Sequence, residues 1–186
     1  MSYGYALALV SRHTSAISML DWGGGLGHYN LISHALVPDL RIEYHCKDVP
    51  ELVQAGRSLL PHAYFYSDDT CLSRRYNFVL ASSSLQYSRN WTTDFRKLAQ
   101  ATEGYLLVTR MPIVKNSPSF VIVQRPYRYG YDTEYLSWCV NRQEMMRYAN
   151  DEHLELIREF IISESPFVVR APEQCEYRGY LFRRVR

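Results

Sequence analysis

The stretch "ISMLDWGGGLGHYN", residues 17 to 30, decides how this chain is read. Its first half is short and apolar, as a strand buried in a parallel sheet is. Its second half places four glycines among the five residues Gly23 to Gly27, two positions after Asp21. Beyond Gly27, Tyr29, Ile32 and Leu36, with Leu31 and Ala35, recur at helical spacing until Pro38 marks a stop. A glycine turn between a buried strand and a helix lets a ligand approach the backbone closely. It also aims the first N–H groups of the helix at that ligand.

The same alternation continues downstream. Residues 41 to 46 read as a second strand, and "KDVPELVQAGRSLL" as a helix with Pro50 in its first turn. Residues 63 to 67 form a third strand running into Asp68 and Asp69, and residues 76 to 84 a fourth, strongly buried one. Residues 91 to 101 are an amphipathic helix that Gly104 breaks before the strand at 105 to 110. This order predicts an α/β fold: a doubly wound, mostly parallel, seven-stranded sheet with helices on both faces.

After Pro112 the rhythm changes. Residues 119 to 124 suit an extra hairpin strand, and residues 127 to 138 an aromatic-rich loop. Asn141, with Glu144 three residues on, has the capping-box pattern before a helix. Residues 154 to 163 are placed as a strand, and 175 to 185 as a final antiparallel strand. With no repeat or linker in view, residues 1 to 186 are expected to form a single domain. Its parts are a short N-terminal helical segment to residue 15, a cofactor-binding half at 16 to 110 and an acceptor-side half at 111 to 186.

Counting glycines narrows the cofactor. The dinucleotide fingerprint G-x-G-x-x-G, started at Gly23, puts His28 at its third glycine; started at Gly24 it meets Leu26, and at Gly25 it ends on Asn30. A nicotinamide oxidoreductase is therefore disfavoured. The spacing present is G-x-G-x-G, at Gly23, Gly25 and Gly27.

With its upstream acid, "LDWGGGLG" resembles the first motif of the class I S-adenosylmethionine-dependent methyltransferases. The resemblance runs motif by motif over roughly residues 16 to 110 and implies a Rossmann-like methyltransferase fold. In that family a cationic methionine portion lies against the loop, so Asp21 would face an ammonium group. "KDVPEL" is similar to the segment whose acid takes the ribose hydroxyls, implying Asp48 and the adjoining Val49 as cofactor contacts. Asp68 or Asp69 matches the acidic position beside the adenine, and Ser82 and Ser83 the segment flanking the methionine end. Gly24 completes the implied cofactor set of Gly23, Gly25 and Gly27. More narrowly, "LDWGGGLGHY", "SSSLQY", "LLVTRMP" and "YDTEYLSWCVNRQEM" resemble a methyltransferase family associated with cell-surface polysaccharide gene clusters.

The implied reaction is methyl transfer from S-adenosylmethionine to a small molecule, sugar or glycan, with S-adenosylhomocysteine as product. "SSLQ" stands where base-methylating relatives carry [DN]-P-P-[YFW], which tilts the acceptor atom toward oxygen. Alignment supplies much of the rate in such a displacement, and a hydroxyl acceptor also needs a base. His28, just past the loop, and Tyr87 and Arg110, at strand ends, are the catalytic candidates. A lone histidine in a first helical turn is also commonly structural. Tyr127, Tyr129, Tyr131 and Tyr135 either line an acceptor pocket or bury against the sheet.

Composition excludes other classes. A net charge of +2 does not point to nucleic acid, and the ending "FRRVR" reads as a solvated strand end. Cys46, Cys71, Cys139 and Cys175 are too dispersed for a zinc site, so no metal is expected and the thiols read as reduced. No transmembrane run or signal peptide is seen, and a cytoplasmic location is expected. The resembled family commonly has a longer N-terminal segment. The substrate-covering cap is then expected to be missing, or supplied by a homodimer or a partner domain. The competing reading is a catalytically degenerate cofactor-binding or scaffold module.

Overall fold

A computed structural model describes residues 2–163 and 167–185, apart from the side chains of Arg128 and Tyr129. A helix, α1 (Ser2–Ser11), precedes the first strand, β1 (Ala16–Trp22). Then follow α2 (His28–Leu36), β2 (Arg41–Lys47), α3 (Pro50–Leu59), β3 (Tyr64–Tyr66), β4 (Tyr76–Ser82), α4 (Trp91–Ala101) and β5 (Thr102–Val114). The second half holds β6 (Phe120–Gln124), β7 (Tyr135–Asn141), α5 (Arg142–Asp151), β8 (Leu154–Ile161) and β9 (Glu176–Arg184).

The sheet has nine strands rather than the seven expected, in the order β3-β2-β1-β4-β5-β7-β6, with β9 on β5 and β8 on β9. The first five are parallel, and β9 is antiparallel to β5 as expected. Strand order reverses between β1 and β4, which makes the carboxyl ends of those two strands the switch point where open α/β sheets bind ligands.

Alternation explains how both faces are filled. Met19, Phe78, Leu80, Leu107 and Leu181 pack on one face with Tyr3, Leu7 and Val53. Leu20, Val79, Leu106, Val108 and Phe182 pack on the other with Phe95, Leu98 and Met145. A period of two sends neighbouring residues of each strand into opposite layers, so the strands read as continuous apolar runs.

Several boundaries differ from expectation, for tertiary reasons. Gly104 does not separate helix from strand, because α4 ends at Ala101 and β5 starts at Thr102. Its role is close approach: a β-carbon at Gly104 would stand 2.4 Å from the Asn77 carbonyl oxygen. The strand expected to stop at Arg110 continues through Pro112 to Val114, beyond a bulge between Val108 and Met111. β4 ends opposite Thr109, so the overhanging β5 pairs instead with β7, Ile113 against Val140. β7 takes the last four residues of the stretch read as an aromatic loop, and completes the hairpin with β6.

The stripe expected to bury α2 faces outward. Leu31, Ile32 and Leu36 are exposed, and the buried residue of that helix is Ser33, which bonds the Tyr3 hydroxyl of α1. Asn141 caps α5 by accepting from Glu144 N, but the reciprocal bond is rerouted. The Ser119 hydroxyl sits between them, donating to the Glu144 carboxylate at 2.6 Å and accepting from Asn141 N at 2.9 Å. Nor is the C-terminal run simply solvated. Arg184 reaches inward to the carbonyls of Thr102 at 3.0 Å, Glu152 at 2.6 Å and Ala99. Among the described residues no helix is long and apolar enough to cross a membrane, and no group of acids, histidines and cysteines could hold a metal.

Candidate active site at the strand ends

The loop between β1 and α2 is shaped by what its glycines avoid. A β-carbon at Gly23 would meet Ser84 Cβ at 2.3 Å; at Gly24, Asp21 Oδ2 at 2.5 Å and Cys46 Sγ at 2.7 Å; at Gly27, Leu60 at 2.6 Å. Gly23, Gly25 and Gly27 also have positive φ angles, of 72°, 59° and 88°, which glycine adopts at no steric cost. Gly25 differs from the other three: a β-carbon there would meet nothing nearer than His28 Nδ1, at 3.9 Å. Of the four glycines only Gly25 leaves room for a β-carbon, although Gly23 is itself exposed.

Asp48 fixes that open glycine. Its carboxylate accepts from Gly25 N at 2.7 Å and from Val49 N at 2.7 Å. The N-cap of α3 is Val49, which makes no side-chain cap. A carboxylate with two oxygens keeps lone pairs beyond those two bonds. Asp21 lies beneath the loop, 1% exposed, with Oδ2 bonded by the Tyr44 hydroxyl and Oδ1 buried without a partner. Burial first, and the nearby Asp48 charge as well, push its carboxyl up to about 7, against the bond from Tyr44. Of the Asp21 carboxyl, Oδ1 is the oxygen left without a partner among the described residues.

The end of β4 closes the other side. The Ser84 hydroxyl donates to the Trp22 carbonyl at 2.7 Å, Ser82 shares a 2.9 Å bond with the Tyr29 hydroxyl, and Ser83 has a left-handed φ of 53°. Asp68 and Asp69 are both engaged. Asp68 accepts from Thr70 N at 3.0 Å and caps a 3-10 turn. Asp69 pairs with Lys97 at 2.7 Å and Lys47 at 3.7 Å, and Lys47 lies 3.7 Å over the Trp22 ring.

The acceptor-side candidates meet at a separate opening. Ser83, Tyr87, Arg110, Tyr131 and Tyr135 line a cleft of about 1190 Å³ bounded by β6 and by residues 167 to 172. The Tyr87 hydroxyl donates to Gln124 at 3.1 Å, and its ring meets Tyr135 edge-on at 5.4 Å. Tyr127 lies off this wall, donating to Glu134 at 2.8 Å, and the side chain of Tyr129 lies outside the described residues. His28 is exposed on the first turn of α2, near Gly25 rather than in the cleft.

Sequence reasoning missed two residues here. Tyr44 holds Asp21 in place; its periodicity marked only a buried strand position. Gln86, 1% exposed, donates to Ser83 Oγ at 3.2 Å and to the Arg110 carbonyl at 3.3 Å. The buried glutamine had no local signal beyond its place in "SSLQY".

No protein-family model and no curated protein sequence matches the chain. Its fold is nevertheless shared with solved structures. One is magnesium protoporphyrin IX methyltransferase from Synechocystis PCC 6803 with bound S-adenosylmethionine: TM-score 0.66, 13% identity, 99% of this chain and 77% of that one. A second is an S-adenosylmethionine-dependent methyltransferase from Methanosarcina mazei: TM-score 0.67, 12% identity, 92% of this chain and 94% of that one. A third is the [4+2]-cyclase SpnF: TM-score 0.62, 14% identity, 97% of this chain and 80% of that one. The chain has the Rossmann-like fold of class I S-adenosylmethionine-dependent methyltransferases. The cyclase is a reminder that this fold does not by itself fix a reaction.

Proposed function

We propose that the chain transfers the methyl group of S-adenosylmethionine to an oxygen of a small-molecule or glycan acceptor, releasing S-adenosylhomocysteine. The observation that carries this reading is the opening at Gly25, with the Asp48 carboxylate bonded to its N–H at 2.7 Å. An acid there suits ribose hydroxyls, whereas a pyrophosphate would be repelled. When bound, S-adenosylmethionine supplies an electrophilic methyl group on a sulfonium. Asp48 with Val49 would bind the ribose, and the backbone of Gly23 to Gly25 with Ser82 and Ser83 would hold the methionine end. Asp68 or Asp69 would lie at the adenine side. Tyr87 and Arg110 would orient the acceptor in the cleft, and His28, at the Gly25 opening, would take the proton only of an acceptor atom presented there.

The glycan arm of the proposal rests on the resemblance to the polysaccharide-associated family. A second reading, a cofactor-binding scaffold without turnover, is favoured by one observation: the Tyr87 hydroxyl is already committed to Gln124.

Titration calorimetry with S-adenosylmethionine, S-adenosylhomocysteine and NAD tests the reading. Binding of the first two but not of NAD is expected, and Asp48→Ala should weaken it roughly 10- to 100-fold, the scale of lost hydrogen bonds to a charged group. Unweakened binding by that variant rejects the ribose assignment, and no binding by the wild type rejects the function. An acceptor screen reading S-adenosylhomocysteine release separates an enzyme from a scaffold.

A further inference from the structure

Three strands, β3, β8 and β6, have a strand neighbour on one side only among the described residues. An open strand edge invites pairing with another chain, and proteins blunt it by keeping the strand short or charged. β3 is three residues long, and β8 carries Glu155, Arg158 and Glu159. β6 has neither protection. It reads Phe-Val-Ile-Val-Gln over residues 120 to 124, without a charge or a proline.

The hairpin it belongs to also lacks a third strand. β6 and β7 pair over five residues, yet β5 reaches β7 at Val140 and Asn141, beyond that paired stretch. Residues 120 to 124 and 135 to 139 thus make a two-stranded ribbon, which gains stability from a packed face or a further strand. One face is packed, with Phe120 and Ile122 against Val114, Cys139 and Cys175. The other shows Val121, 44% exposed, Val123, 47%, and Leu136, 63%.

The outer edge of β6 is complementary to itself. Run antiparallel about a two-fold axis at Ile122, two such strands set Val121 against Val123 and Phe120 against Gln124, each pair on one face. The charges agree as well. Arg125 of one copy comes opposite Ser119 of the other, whose hydroxyl bonds the Glu144 carboxylate, and no like charges meet across residues 119 to 125.

We propose that β6 pairs with β6 of a second copy of this chain, joining the two hairpins into a four-stranded ribbon. Residues 120 to 124 line the cleft, so each copy lengthens that wall for the other. The pairing does not rest on the methyl-transfer reading.

Sedimentation equilibrium of the full chain, without cofactor or acceptor, tests it. The mass should rise with concentration from 21.8 kDa to twice that value by about 100 μM, as a small interface allows. Val121→Lys/Val123→Lys sets lysine against lysine across the axis and should weaken the dimer about tenfold or more. Both side chains are exposed, so the dilute variant should melt within about 1–2 °C of the wild type. Val121→Glu/Val123→Glu should fail alike, and an equimolar mixture of the two variants should recover a dimer. Leu136→Lys, one strand in from the edge on the same face, should change the dimer's affinity by no more than about twofold. A monomer at every concentration, a dimer indifferent to the paired lysines, a mixture that stays monomeric, or equal weakening by Leu136→Lys overturns the pairing. If any of these occurs while S-adenosylhomocysteine still binds, the pairing falls and the methyl-transfer reading stands.

Discussion

The two openings at the top of the sheet are built by different means. The Gly25 opening is made of backbone. Strand ends, positive-φ glycines and one carboxylate on an N–H define it, and the partners Gly25 and Asp48 are held by adjacent parallel strands in register. The cleft is made of two added pieces, the β6–β7 hairpin and the segment from Phe167 to Cys175, held by side chains reaching across the fold. Glu173 accepts from the backbone N–H groups of Lys115, Asn116 and Ser117 at 2.9, 2.8 and 2.8 Å. Asn141 donates to the carbonyls of Lys115 at 3.3 Å and Ser117 at 2.8 Å. Cys139 and Cys175, distant in sequence, are buried together beside Val114. A backbone-built site tolerates little change at its glycines. A side-chain-built one should loosen piece by piece.

The largest expected contrast comes from paired glycine substitutions. At Gly23 an alanine adds a β-carbon 2.3 Å from Ser84 Cβ at a φ of 72°. The clash is with a side chain already anchored on Trp22, so Gly23→Ala should lose several kcal/mol and abolish S-adenosylhomocysteine binding. At Gly130, φ is 81° but nothing lies within 4 Å, so Gly130→Ala should cost only the left-handed strain of about 1–2 kcal/mol. Thermal melts would show it, at about 2–4 °C per kcal/mol for a chain of this size. Equal losses at both sites would erase the distinction between the openings.

The same difference decides what could be read in advance. The five parallel strands and the glycine loop were legible because periodicity and loop spacing are local. Pro112 and Gly104 misled because their neighbours decide their roles: β9 and the overhang of β5 carry the first, and Asn77 crowds the second. The helical stripe of Leu31, Ile32 and Leu36 signalled burial, yet α2 packs through Tyr29 and Ser33 under Tyr3. Tyr87 and Arg110, expected at two strand ends, line one cleft although β5 runs on past Arg110, whereas His28 lies at the other opening. Glu173, Gln86 and Gln174 carry no local signal, since each acts only through bonds the fold brings to it.

The next contrast concerns charge beneath the glycine loop. Burial holds the Asp21 carboxyl at about 7, above its ordinary value of 3.8, so the folded chain keeps a proton that the unfolded chain has released. The associated stability is present below about pH 4 and is lost as pH rises through about 7, with a slope of at most about 1.4 kcal/mol per pH unit. Asp21→Asn, which cannot titrate but still offers an oxygen to Tyr44, should flatten the fall in melting temperature between those limits. Parallel wild-type and variant profiles would mean that Asp21 is ionised and the loop rests on a charge.

The smallest effect, and the most local, belongs to the strap of the cleft. Burial pushes the Glu173 carboxyl up, but the N–H groups of Ser117, Lys115 and Asn116 outweigh it and hold it at about 2. A depressed carboxyl contributes stability that is present above about pH 4.5 and is lost as pH falls toward 2. Glu173→Gln keeps the shape but replaces one acceptor oxygen by an NH2 group, so at least one of the three amides loses its acceptor. A loss of about 1 kcal/mol is expected, with faster amide exchange at residues 115 to 117. S-adenosylhomocysteine affinity should stay within about twofold, well under one kcal/mol. If it falls with the rest, the strap and the glycine loop share one framework.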